Sequence, residues 1–156
     1  LDTKNFAFKT GVRTFEAASY LKKSGADTIE VKKLFNSDIK DFITKAEIIQ
    51  NAKVINNNIC LAYTKTETDN INIVIAQAAD ELLNIKEVEA SFVLARKDDR
   101  VFISARSLGN INVHVLMENL GGGGHRDMAG AQLDTSLEKA YEMVKDTIQT
   151  YIKEEE

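Results

Sequence analysis

The chain has 156 residues, 44% hydrophobic and 28% charged, with a formal net charge of −4 and a pI near 5.3. These proportions suit one globular domain, or one domain carrying part of another. They exclude broad, non-specific duplex binding, which needs many Lys and Arg against phosphates, and leave room for a local basic pocket. A single Cys60 excludes an internal disulfide, no Cys and His spacing suggests zinc, and no apolar run reaches the ~18 residues of a membrane span, so the sequence reads as a soluble, intracellular piece.

The opening LDTKNFAF reads as the middle of a longer chain. RTFEAASYLKKSG (13–25) combines helix formers with Lys22 and Lys23 in a last turn and Gly25 as a stop, which predicts a helix. In SDIKDFITKAEIIQNAKVI, Ile39, Phe42, Ile43, Ala46 and Ile49 recur at three- and four-residue steps, predicting a second helix that runs to the Asn56-Asn57-Asn58 turn with that stripe inward. NICLAYTK (58–65) predicts a strand. INIVIAQAADELL sets Ile71, Val74, Ile75, Ala78, Ala79 and Leu82 on one helical face. Two apolar runs then flank Lys97-Asp98-Asp99-Arg100, a hairpin, and the period of two in the second run puts Ser104 and Arg106 on the same side of the sheet. NVHVLMENL predicts a helix ended by glycine, and AGAQLDT a last strand. Thr135 with Glu138 reads as a capping box for a closing helix whose inward stripe is Leu137, Tyr141, Val144 and Ile148. Strands interleaved with helices predict an α/β (α+β) domain around one central mixed sheet.

GGGGHRDMAG (121–130) stands out because four of the eight glycines are consecutive and are followed by one of only two histidines. Two readings stay open. The run is a helix C-cap with a mobile turn, or its consecutive amides form an anion-binding concavity approached closely by a phosphate. In the second reading His125 stands at the rim, Arg106 offers a planar fork, and Ser104 or Ser107 adds a hydroxyl. It is not a Walker loop, since no Gly-Lys-Ser/Thr follows. His114, off the helical stripe, reads as a surface or partly packed residue, and Asp2 as an isolated acid of a turn.

FISARSLGNINVHVLMENLGGGGHRDMAGAQL resembles the signature of the DHH-associated domain, the C-terminal half of the two-lobed DHH-family phosphoesterases, over about residues 28 to 151. LDTKNFAFKTGVRTFEAASYL resembles the end of the preceding DHH catalytic lobe, so the resemblance divides the chain into a remnant at 1–27 and a substrate-binding domain at 28–156. Within the family, the wording is most similar to the membrane-anchored cyclic di-AMP phosphodiesterases of low-GC Gram-positive bacteria.

The resemblance implies an intact enzyme anchored to the cell membrane at its cytoplasmic face, with a DHH lobe holding two divalent metals, usually manganese. This domain would grip a cyclic dinucleotide or short oligonucleotide, and its partners would be the DHH lobe of the same chain and a second copy in a homodimer. Phosphate would fall to Arg106, Gly122, Gly123, Gly124 and His125, with Ser104 in support. Asp2 alone matches a metal ligand of that lobe, so the expectation is a fragment with little hydrolase activity of its own and no bound metal. The alternatives are an oligoribonuclease, nucleotide phosphatase or exopolyphosphatase-like lobe, a nucleic-acid binding module, and a module that only closes over or dimerises with its partner. Aromatic residues at 7%, with no Trp, argue against a long stacking groove. The insert Arg126-Asp127-Met128 carries no firm expectation from the family pattern.

Overall fold

The computed structural model describes residue 6, residues 10–56 and residues 58–155. The chain forms two compact units, Leu1–Ser37 and Asp38–Glu156. The first contains α1 (Val12–Lys23) and α2 (Thr28–Lys33). The helix expected at 13–25 is α1, closed by Gly25 at φ +95° and by the Ala26 N–H donating to the Leu21 carbonyl at 3.0 Å. Asp27 caps α2, its carboxylate accepting from the Ile29 N–H at 2.8 Å. Six residues are too few to print a periodic stripe, so no periodicity in the sequence marks α2.

The second unit is built on a six-stranded mixed sheet in the order β1-β2-β3-β4-β6-β5. Its strands are β1 (Lys53–Ile55), β2 (Ile59–Thr64), β3 (Ala90–Lys97), β4 (Arg100–Ser107), β5 (Gly123–His125) and β6 (Met128–Leu133), with helices α3 (Ile39–Gln50), α4 (Ile71–Leu82), α5 (Val113–Glu118) and α6 (Leu137–Glu155). β2 and β3 are parallel, joined through α4; every other pair is antiparallel.

Alternation along the strands divides the core in two. Leu61, Phe92, Leu94, Val101 and Ile103 pack with Leu116, Met117, Val144 and Ile148 beneath α5 and α6. Cys60, Ala62, Val93 and Ala95 pack with Ile48, Val74, Ile75 and Leu82 beneath α3 and α4. β2 and β3 are covered on both faces and therefore read as continuous apolar runs. Each fully buried side chain such as Phe92 contributes roughly 1.5–3 kcal/mol relative to exposure. The six residues expected on the inner face of α4 are the six that are buried.

Three local expectations are corrected. The second helix stops at Gln50, and Lys53–Ile55 leave it to pair with Ile59–Leu61 as β1, a preference that only the partner strand supplies. The stripe expected inward on α3 is largely exposed, with Ile39 at 73%, Phe42 at 57% and Ile43 at 50%, while Thr44 and Ile48 are buried. Finally, α6 is capped by Ser136, whose hydroxyl accepts from the Lys139 N–H at 3.2 Å, and not by a Thr135–Glu138 box. Glu138 instead pairs with Lys65 at 3.0 Å, and its carboxyl lies below the usual range through a backbone hydrogen bond and the nearby ammonium.

Candidate functional site: a side-chain-poor trough across three strands

α4 covers the middle of the sheet on one face and leaves β6 and β5 open beside it. A cleft of about 540 Å³ results, lined by Asn72 and Ile75 of α4, by Phe102, Ser104 and Arg106 of β4, by Gly121 and Gly122, and by Gly130 and Gln132 of β6. Directly opposed residues of antiparallel strands point to one face. The register therefore lays three rows across this face. Arg106 stands opposite Met128, and Met128 opposite His125; Ser104 stands opposite Gly130, and Gly130 opposite Gly123; Phe102 stands opposite Gln132. The middle row of serine, glycine and glycine has almost no side chain, so the trough is floored by backbone.

Ser104 and Arg106 thus share the side of the sheet that their spacing indicates, and both are largely buried, at 7% and 9% exposure. Arg106 is held at two points. Its Nε–H donates to Asp80 of α4 at 3.1 Å, and an Nη1–H donates to the Ala105 carbonyl at 2.9 Å. Fixing the guanidinium this way sets its plane, and its remaining N–H donors stay uncommitted to these partners. Asp80, at 36% side-chain exposure, also offsets part of the charge. Ser107, the other hydroxyl considered, belongs to the opposite row and accepts from the Gly109 N–H at 2.8 Å, a turn contact.

The glycine run performs separate tasks. Gly121, at φ +76°, ends α5, with its N–H donating to Glu118 O at 2.9 Å and the Gly122 N–H donating to Met117 O at 2.8 Å. The Gly122 amide is thereby engaged in a Schellman closure rather than pointing into an anion cradle. Gly123–His125 then form β5, an edge strand where the glycine run predicts a turn or loop. Cβ atoms on Gly122 and Gly124 would collide with β6, at 2.6 Å from Ala131 Cβ and 2.5 Å from Ala129 Cα, whereas one on Gly123 would meet nothing within 4 Å. Alternate N–H groups of an antiparallel edge strand point away from the sheet, so one amide of the neighbours Gly123 and Gly124 is directed outward. Gly123, Gly124 and the exposed His125 at the end of this strand do not line the cleft itself; the register sets Gly123 on the same face beside it.

Arg126 and Asp127, at the tip of the β5–β6 hairpin, brace the β4–α5 loop. The Ser107 N–H donates to Asp127 O at 2.9 Å, Val113 N–H to Arg126 O at 3.1 Å, and Arg126 Nε–H to Gly109 O at 3.0 Å. His114 is half-buried, 3.8 Å from Glu118. Asn72, Asp80, Gly130 and Gln132 were missed in the sequence. Only the register and the packing of α4 bring them into one cleft with Arg106, Asp80 beside it and Asn72 and Gln132 at the Phe102 end, although the small residues of AGAQ were a signal for a bare strand.

Asp2 lies outside the described residues. Among the described residues no three His, Cys, Asp or Glu gather as a metal centre requires, so the donor set for a bound metal pair is not found in them. No helix among them is long and apolar enough to cross a membrane.

A bare backbone trough beside an anchored arginine, on a mixed α/β sheet, is the candidate site of this domain. The chain belongs to the DHHA1 domain family, whose model matches residues 56–154. It is 45% identical over 157 aligned residues to the cyclic-di-AMP phosphodiesterase GdpP of Bacillus subtilis (strain 168), covering 98% of this chain and 24% of that one. It is 41% identical to the cyclic-di-AMP phosphodiesterase PdeA of Listeria monocytogenes, covering 99% of this chain and again 24% of that one. The chain therefore spans about a quarter of the length of these relatives. Among solved structures, the fold resembles an exopolyphosphatase-related protein from Bacteroides fragilis, with a TM-score of 0.84 at 21% identity over 96% of this chain and 46% of that one. It also resembles RecJ of Thermus thermophilus in complex with Mn2+, with a TM-score of 0.54 at 16% identity over 72% of this chain and 16% of that one. Both likenesses establish the α/β fold expected from the sequence.

Proposed function

We propose that this chain is the substrate-gripping domain of a metal-dependent phosphodiesterase that hydrolyses cyclic di-AMP to linear pApA. The relatives bearing that activity in their names, at 41% and 45% identity, support the substrate. The observation that carries the site assignment is the Ser104–Gly130–Gly123 row lying beside Arg106, because it combines close backbone approach with a fixed cation.

In this reading Arg106 donates its free N–H groups to a phosphate, each charge-assisted bond contributing roughly 1.5–3 kcal/mol. Ser104 donates its hydroxyl, the outward amide of Gly123 or Gly124 a third bond, and His125 closes the rim. Gly122 contributes by leaving room, since its amide closes α5. Asp80 moderates the field at Arg106, which favours release of product. Residues 1–27 are proposed as the end of the DHH lobe and 28–156 as the associated domain, although the compact units divide ten residues later, at Ser37. The metals, proposed as two divalent ions such as the manganese named for RecJ, would be held by the DHH lobe, where their chemistry would be activation of the attacking water. The intact enzyme, anchored to the membrane and acting at its cytoplasmic face, would bring that lobe, and a second copy in a homodimer, to this trough.

The test is hydrolysis by the two-lobed enzyme containing this chain. Arg106→Ala should lower kcat/KM for cyclic di-AMP by on the order of 10²-fold, equivalent to losing one or two charge-assisted bonds. An unchanged kcat/KM would remove Arg106 from the site.

A further inference from the structure

The end of the trough away from Arg106 is chemically different. Phe102 lines it from β4, half-buried against the core beneath α4, with Gln132 directly opposite on β6 and Asn72 reaching it from the first turn of α4. Neither amide is committed to another described residue. Among the described residues, Arg106 is the only charged one lining the cleft. Between Phe102 and Arg106 the strand advances four residues, ~13 Å at the usual rise, which separates a base at one end of the trough from its phosphate at the other.

Resting on the phosphate assignment above, we infer that Phe102, Asn72 and Gln132 form a base subsite that selects adenine. An aromatic face accepts any base by stacking and gives affinity without choice. Choice comes from the amides. A carboxamide carries one acceptor and adjacent donors, which match the N6 donor and N7 acceptor of adenine in a bidentate pair. Guanine presents two acceptors, O6 and N7, on that edge and calls for a cationic fork, and this end of the trough has none among the described residues. The bare middle row then passes beneath the ribose, where a side chain would obstruct the path from base to phosphate. Both amide residues are exposed, so replacing them leaves the core intact.

The test is a titration of this chain, followed by NMR to reach weak affinities, with AMP, GMP and ribose 5-phosphate. It is run on the wild type, Asn72→Leu, Gln132→Leu and Arg106→Ala. The wild type should prefer AMP to GMP by on the order of tenfold, one bidentate pair. Asn72→Leu and Gln132→Leu should bring that ratio toward one while leaving ribose 5-phosphate unchanged. A ratio unmoved in both variants, or a wild type that holds ribose 5-phosphate as tightly as AMP, overturns the base subsite while Arg106 keeps its role. If Arg106→Ala binds AMP and ribose 5-phosphate as the wild type does, the phosphate assignment fails and the subsite fails with it.

Discussion

Gly123 is the one member of the glycine run that the fold of this unit does not demand. Gly121 needs its positive φ, and Gly122 and Gly124 lie too close to β6 for a side chain, Gly124 also at φ +148°. Gly122→Ala and Gly124→Ala should each destabilise by about 1–3 kcal/mol through overpacking, read as a lowered denaturation midpoint. Gly123→Ala should keep the midpoint, because its methyl meets nothing within 4 Å, and weaken ligand binding if the ligand extends from the cleft over this face of β5. The sequence displayed the cluster but could not assign these separate tasks, since each depends on which residue of β6 lies opposite. A second residue-scale outcome concerns Cys60, whose thiol burial pushes above its ordinary value of 9.0. Above that pH the unfolded chain loses the proton first, so unfolding becomes easier. Stability from this group is complete below pH 9.0 and falls as pH rises through the folded value; Cys60→Ala should flatten the alkaline limb of the stability profile.

Among the elements, those with a long periodic stripe were legible and those defined by a partner were not. α4 shows the six residues of its stripe buried because it packs on the sheet along its whole length. In α3 the apolar residues exceed what one packing face uses, and periodicity alone could not tell Ile48 from Phe42. Ile48→Ala should therefore cost about 2–5 kcal/mol, whereas Phe42→Ala should stay within ~0.5 kcal/mol in urea denaturation of this chain. Equal losses would mean that the exposed stripe is buried after all. β1 and β5, three residues each, carry no period and form because β2 and β6 offer free edges. The hairpin at Asp98-Asp99 was legible because its polar turn separates two strongly apolar runs.

For the molecule as a whole, net charge of −4 with one anchored arginine in an open trough fits the proposed receptor for a small phosphorylated ligand. It is a poor description of a polyanion track, which needs many cations in line. That Ser104, Arg106 and Gly122 line one cleft was legible because strand parity and the glycine run both point there. Asn72 and Asp80 were hidden, because α4 precedes β4 by a long stretch of chain and only the crossover between parallel strands returns it, and Gln132 because only the β4–β6 register sets it opposite Phe102. The central claim, that this trough grips phosphate by itself, is tested most directly by calorimetric titration of the chain with linear pApA, with and without manganese, in wild type and Arg106→Ala. Binding that is independent of manganese and roughly tenfold or more weaker in Arg106→Ala is the predicted result. Equal affinity in the two proteins would contradict it.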